Sequence, residues 1–446
     1  MVSELVEKGY KKTIFGNVPE HWKVKTFNDL LDENIIEGIQ DGNHGGMHPK
    51  AADYVSTGIP FVMANNLKKG TVDLGSCNFI RKQQGDSLRI GFSYEGDVLL
   101  SHKGTVGRVA IVPEVEEYIM LTPQVTYYRV GDNKKLSNSF LKFFFESNSF
   151  QLMLSKLSAQ STRNYIGITS QKKLPIVLPP IEEQKKIVSI LSSVEETIKG
   201  TEAIIEQTEQ VKKGLMQQLL TKGFGHTKFK KTEIGEIPED WEVKKAKDVA
   251  NVEYGISESV STNTDPNIGI PILTGANITL GGKLDLSKIV YIEKRQNERF
   301  ELRTGDLLFN WRSGSQQHIG KTAIFDLEGD YTYASFILRI RVNADCNYQF
   351  YYYLLNYLKE TEYFFKDTAM QVNFKLNATT FRELLLVKPP LEEQERIVEI
   401  LQSVDDTLSK ERERFVALQN LKKGLMQSLL TGKVRVNFDE AEVTQV

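Results

Sequence analysis

Two stretches of the chain carry apolar residues at helical spacing over about forty positions, and they carry them at matching places. In residues 179–222 these are Ile187, Leu191, Val194, Ile198, Ile205, Val211, Leu215 and Leu219. In residues 389–431 they are Ile397, Leu401, Val404, Leu408, Phe415, Leu421, Leu425 and Leu429. Steps of mostly three and four residues put such side chains on one stripe of a helix, as in a coiled-coil seam, with Thr201 and Glu411 at one shared position. Each stretch opens on Pro-Pro, a hydrophobic residue and Glu-Glu-Gln, namely Glu182-Glu183-Gln184 and Glu392-Glu393-Gln394. Proline in a first turn costs no hydrogen bond, and carboxylates favour the positive end of the helix dipole. A lone helix with this stripe would be half exposed, so the two copies are expected to pack on each other as a rod of roughly 60 Å, from forty residues at 1.5 Å each.

Outside these stretches the pattern shortens to strand-like runs separated by turn residues. They are Asp97 to Ser101, Val109 to Val112 and Val125 to Val130, with second-half counterparts Asp306 to Asn310, Thr322 to Phe325 and Phe336 to Val342. Aromatic tracts, Phe140 to Phe150 and Phe350 to Tyr357, are expected to form helices that pack on these sheets as core. The halves share more than helices. Gly16-Asn17-Val18-Pro19-Glu20-His21-Trp22 parallels Gly235-Glu236-Ile237-Pro238-Glu239-Asp240-Trp241, Ile59-Pro60 parallels Ile270-Pro271, Gly96-Asp97 parallels Gly305-Asp306, and Arg129 is matched to Arg339. The chain therefore reads as a duplication, each half comprising an opening motif, a mixed domain and a long helix.

Composition narrows the class. The 446 residues allow two or three domains, and a formal charge of −2 argues against coating nucleic acid by bulk electrostatics while leaving local basic loops possible. Cys77 and Cys346 stand far apart, which supports neither a disulfide framework nor a zinc site. With no apolar signal core and no run of eighteen apolar residues, a cytoplasmic protein is expected.

The doubled Pro-Pro-hydrophobic-Glu-Glu-Gln helix and the doubled Gly-x-hydrophobic-Pro-x-x-Trp opening resemble the specificity subunit of type I restriction-modification systems, over almost the whole chain. That resemblance implies an α+β protein with pseudo-twofold symmetry: two mixed α/β target recognition domains separated by two long helices that form an antiparallel coiled coil. The implied division is an opening segment 1–19, recognition domain 20–178, spacer helix 179–222, linker with repeated motif 223–238, recognition domain 239–388, spacer helix 389–431 and tail 432–446. The implied function is sequence-specific recognition of an asymmetric, bipartite double-stranded DNA target, positioning two adenine-N6 methyltransferase subunits and nuclease-translocase subunits. No cofactor is expected on this chain; S-adenosylmethionine and ATP belong to the partners. Alternatives are the specificity component of a system whose partner fuses methyltransferase and nuclease, and a stand-alone DNA-acting enzyme.

Candidate reading residues lie where the two frameworks differ. After equivalent strands come Ser101, His102, Lys103, Thr105 and Arg108 in the first half, and Asn310, Trp311, Arg312, Ser313, Ser315, Gln316, Gln317, His318 and Lys321 in the second, whose loop is four residues longer. Arginine can grip guanine bidentately, asparagine and glutamine adenine, and lysine phosphate; Lys321 is assigned to phosphate. Gln160, Thr162, Arg163 and Asn164, with Gln371, Asn373 and Lys375, precede the long helices, and Asn66 and Asn277 occupy matching framework positions. Catalytic signals fail. Gly314 to Thr322 ends in Gly-Lys-Thr, but five residues separate its glycines where a P-loop has four. His44 and His48 lack further ligands for a metal, Asp240, Glu242 and Lys244 have no acidic counterpart in the first half, and no methyl-donor glycine motif occurs. The chain is read as non-catalytic.

Overall fold

Each half opens on an antiparallel hairpin whose turn closes on a glycine with positive φ. Tyr10–Thr13 pairs with Gly16–Pro19 and Phe229–Thr232 with Gly235–Pro238, with φ of +97° at Gly16 and +116° at Gly235, a region in which residues with a Cβ are strained. The computed structural model describes residues 8–45, 48–159, 164–257, 269–293, 298–365 and 376–436. It divides into two compact units, Met1–Thr201 with Arg414–Val446, and Glu202–Glu413. The long helices Ile181–Lys222 and Leu391–Leu429 each contribute to both units.

In the first unit a ribbon joins the start and end of the domain, Lys23–Thr26 antiparallel to Pro175–Leu178. Between them a six-stranded sheet runs in the order Ile36–Asp41, Val125–Val130, Val98–Ser101, Val109–Ile111, Gly70–Val72 and Leu67–Lys68. A five-stranded sheet built around Ile59–Val62 and Ile119–Leu121 packs with it through Val62, Leu99, Ala110, Leu121 and Val125. The aromatic tract is core, broken at Ser147 into helices Asn138–Glu146 and Asn148–Ala159; Phe145 stacks on Phe150 at 4.8 Å and meets Tyr128 edge-on.

The second unit repeats the plan with fewer strands. Glu242–Lys245 pairs with Leu385–Lys388, and a four-stranded sheet runs Ala250–Tyr254, Ile337–Val342, Leu307–Asn310, Thr322–Ile324. Its aromatic helix is Tyr348–Glu360, burying Phe350, Tyr351, Tyr353, Leu354 and Leu355. One expected correspondence is corrected here. Asp97 accepts from Arg129 at 2.8 and 2.9 Å, and Asp306 accepts from Arg341 at 2.7 Å twice, so Arg129 corresponds to Arg341 rather than Arg339. Strand register is the cause: Val98 faces Tyr128, and Leu307 faces Ile340, each one residue before the arginine.

Within each unit the long-helix segments pair antiparallel. In the first, Ile187 and Leu191 share a core with Met426 and Leu429, and Lys422 reaches Glu195 at 2.6 Å. In the second, Met216 and Leu219 share a core with Ile397 and Leu401, Lys212 reaches Asp405 at 2.6 Å, and Arg412 reaches Glu209 at 2.5 Å. Two expected seam residues are corrected: Val211 is 55% exposed and Leu421 50%. A regular four-three alternation from Ile205 passes through Thr208 to Lys212, and from Phe415 through Leu418 to Lys422; all four are half-buried. The lysines hold the seam by ion pairing. Burial opposes charge on Glu195, yet hydrogen bonds from Lys142 and Lys422 hold its carboxyl below the usual range.

The doubled Glu-Glu-Gln motif ties helix to domain. Glu183, fully buried, accepts from Trp22 Nε1 at 2.9 Å and meets His21 at 2.7 Å; Glu393 accepts from Trp241 Nε1 at 2.8 Å and meets His226 at 2.8 Å. Gln184 accepts from Ser137 N, and Gln394 from Asn347 N, the residues that cap the aromatic helices. Among the described residues no helix is long and apolar enough to cross a membrane.

Candidate nucleic-acid interface

Strand direction brings the loops that differ between the halves to one end of each larger sheet. In the first unit Asp41, Ser101, Val109 and Val125 lie there, and in the second Tyr254, Asn310, Thr322 and Ile337. Backbone crowds closely at this end. A Cβ on Gly42 would fall 2.1 Å from Thr122 O, and one on Gly255 2.3 Å from Tyr333 O, so only glycine lets the adjoining turns approach.

In the first domain the candidates separate by burial. Ser101 turns inward, its Oγ accepting from Arg108 N at 2.8 Å, and His102 is buried with its ring 3.1 Å from Ile166 O. Burial pushes His102 below the ordinary histidine range and favours the neutral ring. Asn66 is also buried, accepting from Met63 N and donating to Ser76 O, so it closes a turn. Lys103, Thr105, Arg108 and Asn164 are exposed, although Arg108 spends one donor on Ala64 O. Gln160, Thr162 and Arg163 lie outside the described residues.

The second domain shows the same division. Asn277 is buried, accepting from Thr274 N and donating to Asp285 O, and Asn310 is buried, donating to His318 O at 2.8 Å. Trp311 is half-buried, Nε1 donating to Ser335 O at 2.6 Å, which makes it an anchor for the loop. Arg312, Ser315, Gln316 and Gln317 are exposed, and Ser313 and His318 half-buried. Gln371, Asn373 and Lys375 lie outside the described residues. Two exposed aromatics that the sequence reading did not single out adjoin these loops, Tyr165 at 41% and Phe336 at 48%.

Lys321 corrects its expected role. It is buried, donating to Gly275 O at 2.8 Å and to Ile278 O, and burial followed by the charge of Lys359 pushes its ammonium below the ordinary lysine range. The side chain faces protein carbonyls and is not presented to a phosphate. Lys321→Ala should therefore cost about 2 kcal/mol, for two carbonyls left without their donor, read as a lower urea midpoint, with affinity for unrelated duplex unchanged. A normal midpoint with uniformly weaker duplex binding would restore the phosphate role. The same burial removes any P-loop reading of Gly314 to Thr322. Among the described residues no group of three or more His, Cys, Asp or Glu could hold a metal.

The profile of the type I restriction modification DNA specificity domain matches the chain twice, over residues 19–210 and 238–417. The chain belongs to this family. A specificity subunit assigned to the type I restriction enzyme MjaX of Methanocaldococcus jannaschii is 30% identical, covering 96% of this chain and 97% of that protein. The type I restriction enzyme EcoKI specificity subunit of Escherichia coli is 23% identical, covering 95% and 91%. The fold is shared with a chain from a solved type I R-M system assembly, 17% identical with a TM-score of 0.58 over 94% of this chain and 99% of that one. It is shared also with the type I restriction-modification S subunit of M. genitalium, 12% identical with a TM-score of 0.53 over 94% and 97%. As a member of the specificity family the chain is a DNA-recognition component and not a catalyst.

Proposed function

We propose that this specificity-family chain reads an asymmetric, bipartite DNA target, one half-site per recognition domain, and positions modification and restriction subunits on it. The observation that carries this reading is the contrast between frame and loop. The frames repeat down to Asp97–Arg129 and Asp306–Arg341, whereas the loops leaving the same sheet end present Lys103, Thr105 and Arg108 in one domain and Arg312, Ser315, Gln316 and Gln317 in the other. Different donors on equivalent frames suit different half-sites. Mapping methylated adenines in cytoplasmic DNA of a host expressing the chain with its partners tests it: two unlike half-sites are expected, and a single continuous or palindromic motif would overturn it.

The partners on this reading are two methyltransferase subunits, which bring S-adenosylmethionine, and nuclease-translocase subunits, which bring ATP. Val211 and Leu421, equivalent in sequence and both exposed on their helices, supply a matched apolar contact for two copies of one partner. Val211→Glu and Leu421→Glu should each reduce the assembly by one methyltransferase copy in native mass spectrometry, and together remove both. Each should shift thermal unfolding far less than a buried seam substitution would, since about half of each side chain is already exposed. A full complement on the double variant would place docking elsewhere.

A further inference from the structure

Phe336 is apolar and occupies the turn immediately before the strand Ile337–Val342, and it is 48% exposed while the next two residues, Ile337 and Leu338, are fully buried. Its position is fixed by the neighbouring loop: Trp311 N donates to Phe336 O at 3.2 Å, and the Trp311 ring lies edge-on to Phe336 at 6.4 Å and to Tyr254 at 5.5 Å. Arg312 follows Trp311, and its guanidinium carbon sits 5.1 Å from the Phe336 ring centroid. Among the described residues Arg312 has no hydrogen-bonded or ionic partner. Arg299, Arg339, Arg341 and Arg382 of the same domain are each bonded to protein oxygens. We infer that Phe336 is a specificity-determining residue of the second domain, a positioning residue that holds Arg312 for bidentate recognition of one guanine; this rests on the DNA-reading function proposed above.

The chemistry follows from the shape of the group. A guanidinium lying against a ring keeps its donors at the edge, where a base can meet two of them, and the contact limits the rotamers that binding must otherwise freeze. Guanine offers O6 and N7 at the matching spacing in the major groove. Among the described residues the first domain shows no exposed ring against an arginine that lacks another partner: Arg129 lies 4.7 Å from the exposed Tyr94 ring but is bonded to Asp97. At the loop end of the sheet the exposed aromatic is Tyr165, whose backbone bridges to Lys103 and whose ring lies 5.5 Å from the His102 ring, and Arg108 is already bonded to Ala64 O. The Arg312-dependent guanine should therefore occur in the half-site of the second domain.

The test uses the chain with its methyltransferase subunits and a pool of duplexes randomised across the target length, selected by binding and sequenced. Arg312→Ala, Arg312→Lys and Phe336→Leu should all relax the same G·C position in one half-site, by about ten- to a hundredfold. Phe336→Tyr keeps an aromatic face and should restore the wild-type motif. The other half-site should be read normally throughout, which also reports a folded chain. Retention of the wild-type motif by Phe336→Leu, relaxation at a different position from Arg312→Ala, or uniform weakening on every duplex would overturn the inference. A wild-type chain that selects no motif would overturn the DNA-reading function itself, and the inference with it.

Discussion

Gln184→Ala is expected to lower the stability of the first unit by about 3 to 5 kcal/mol, in the lower part of the roughly 3–9 kcal/mol for three groups left unpaired at about 1–3 kcal/mol each, because the bonds to Ser137 N and Lys135 O are only part-buried. Gln184 is fully buried. Its Oε1 accepts from Ser137 N at 3.0 Å, and its Nε2 donates to Lys135 O and Pro179 O, both at 2.9 Å. One amide thus fixes the cap of the aromatic helix, the loop before it and the proline pair that opens the long helix. Alanine would orphan an N–H and two carbonyls at this joint. Gln184→Glu separates hydrogen bonding from packing, because its second oxygen would face two carbonyls that need a donor; it should be at least as damaging despite its equal size. The measurement is hydrogen exchange at the Ser137 amide together with urea unfolding. Unchanged protection and midpoint in Gln184→Ala would show that the joint is held by packing alone.

This joint also marks what the sequence could and could not disclose. The long helices and the duplication were legible because a periodic apolar pattern over forty residues has few other solutions; the six expected strands keep their places to within a residue and the two long helices to within two, whereas the less regular aromatic tract of the first half is split into two helices. The motif opens both helices as expected, but its second role was not legible. Glu183 and Gln184 suit a helix start, but their partners Trp22 and Ser137 come from remote sequence, so only the fold shows that they are buried ties. The seam went wrong at Val211 and Leu421 because lysine with a carboxylate partner can occupy a core-facing position, which no hydropathy pattern reports. Polar loops were the hardest to read. Asn66, Asn277, Asn310 and Lys321 carry DNA-reading chemistry by residue type, yet all four are buried and donate to backbone carbonyls of their own domain. Phe336 differs in the opposite sense: it was expected to open a buried strand, but the strand starts at Ile337 and Phe336 lies exposed in the turn before it.

Replacing residues 239–388 with a second copy of residues 20–178 should give a chain whose methylated motif contains the first half-site twice and the second not at all. The cut points favour the exchange. Glu242 pairs with Lys388 and Lys23 with Leu178, so each domain leaves and returns side by side at one end of a short ribbon, and the helices need not move to accept another. The incoming domain also brings what the receiving helix requires: Trp22 would donate to Glu393 as Trp241 does, and Ser137 N would meet Gln394 Oε1 as Asn347 N does. A half-site of three read pairs would lose roughly 3–9 kcal/mol of discrimination, at 1–3 kcal/mol per mismatched pair, so the original second half-site should vanish from the methylation map and not merely weaken. The spacer helices are untouched in this chain. Survival of the original second half-site would place its readers outside residues 239–388, and loss of both half-sites in a folded, partner-bound chain would mean that the two domains do not read independently.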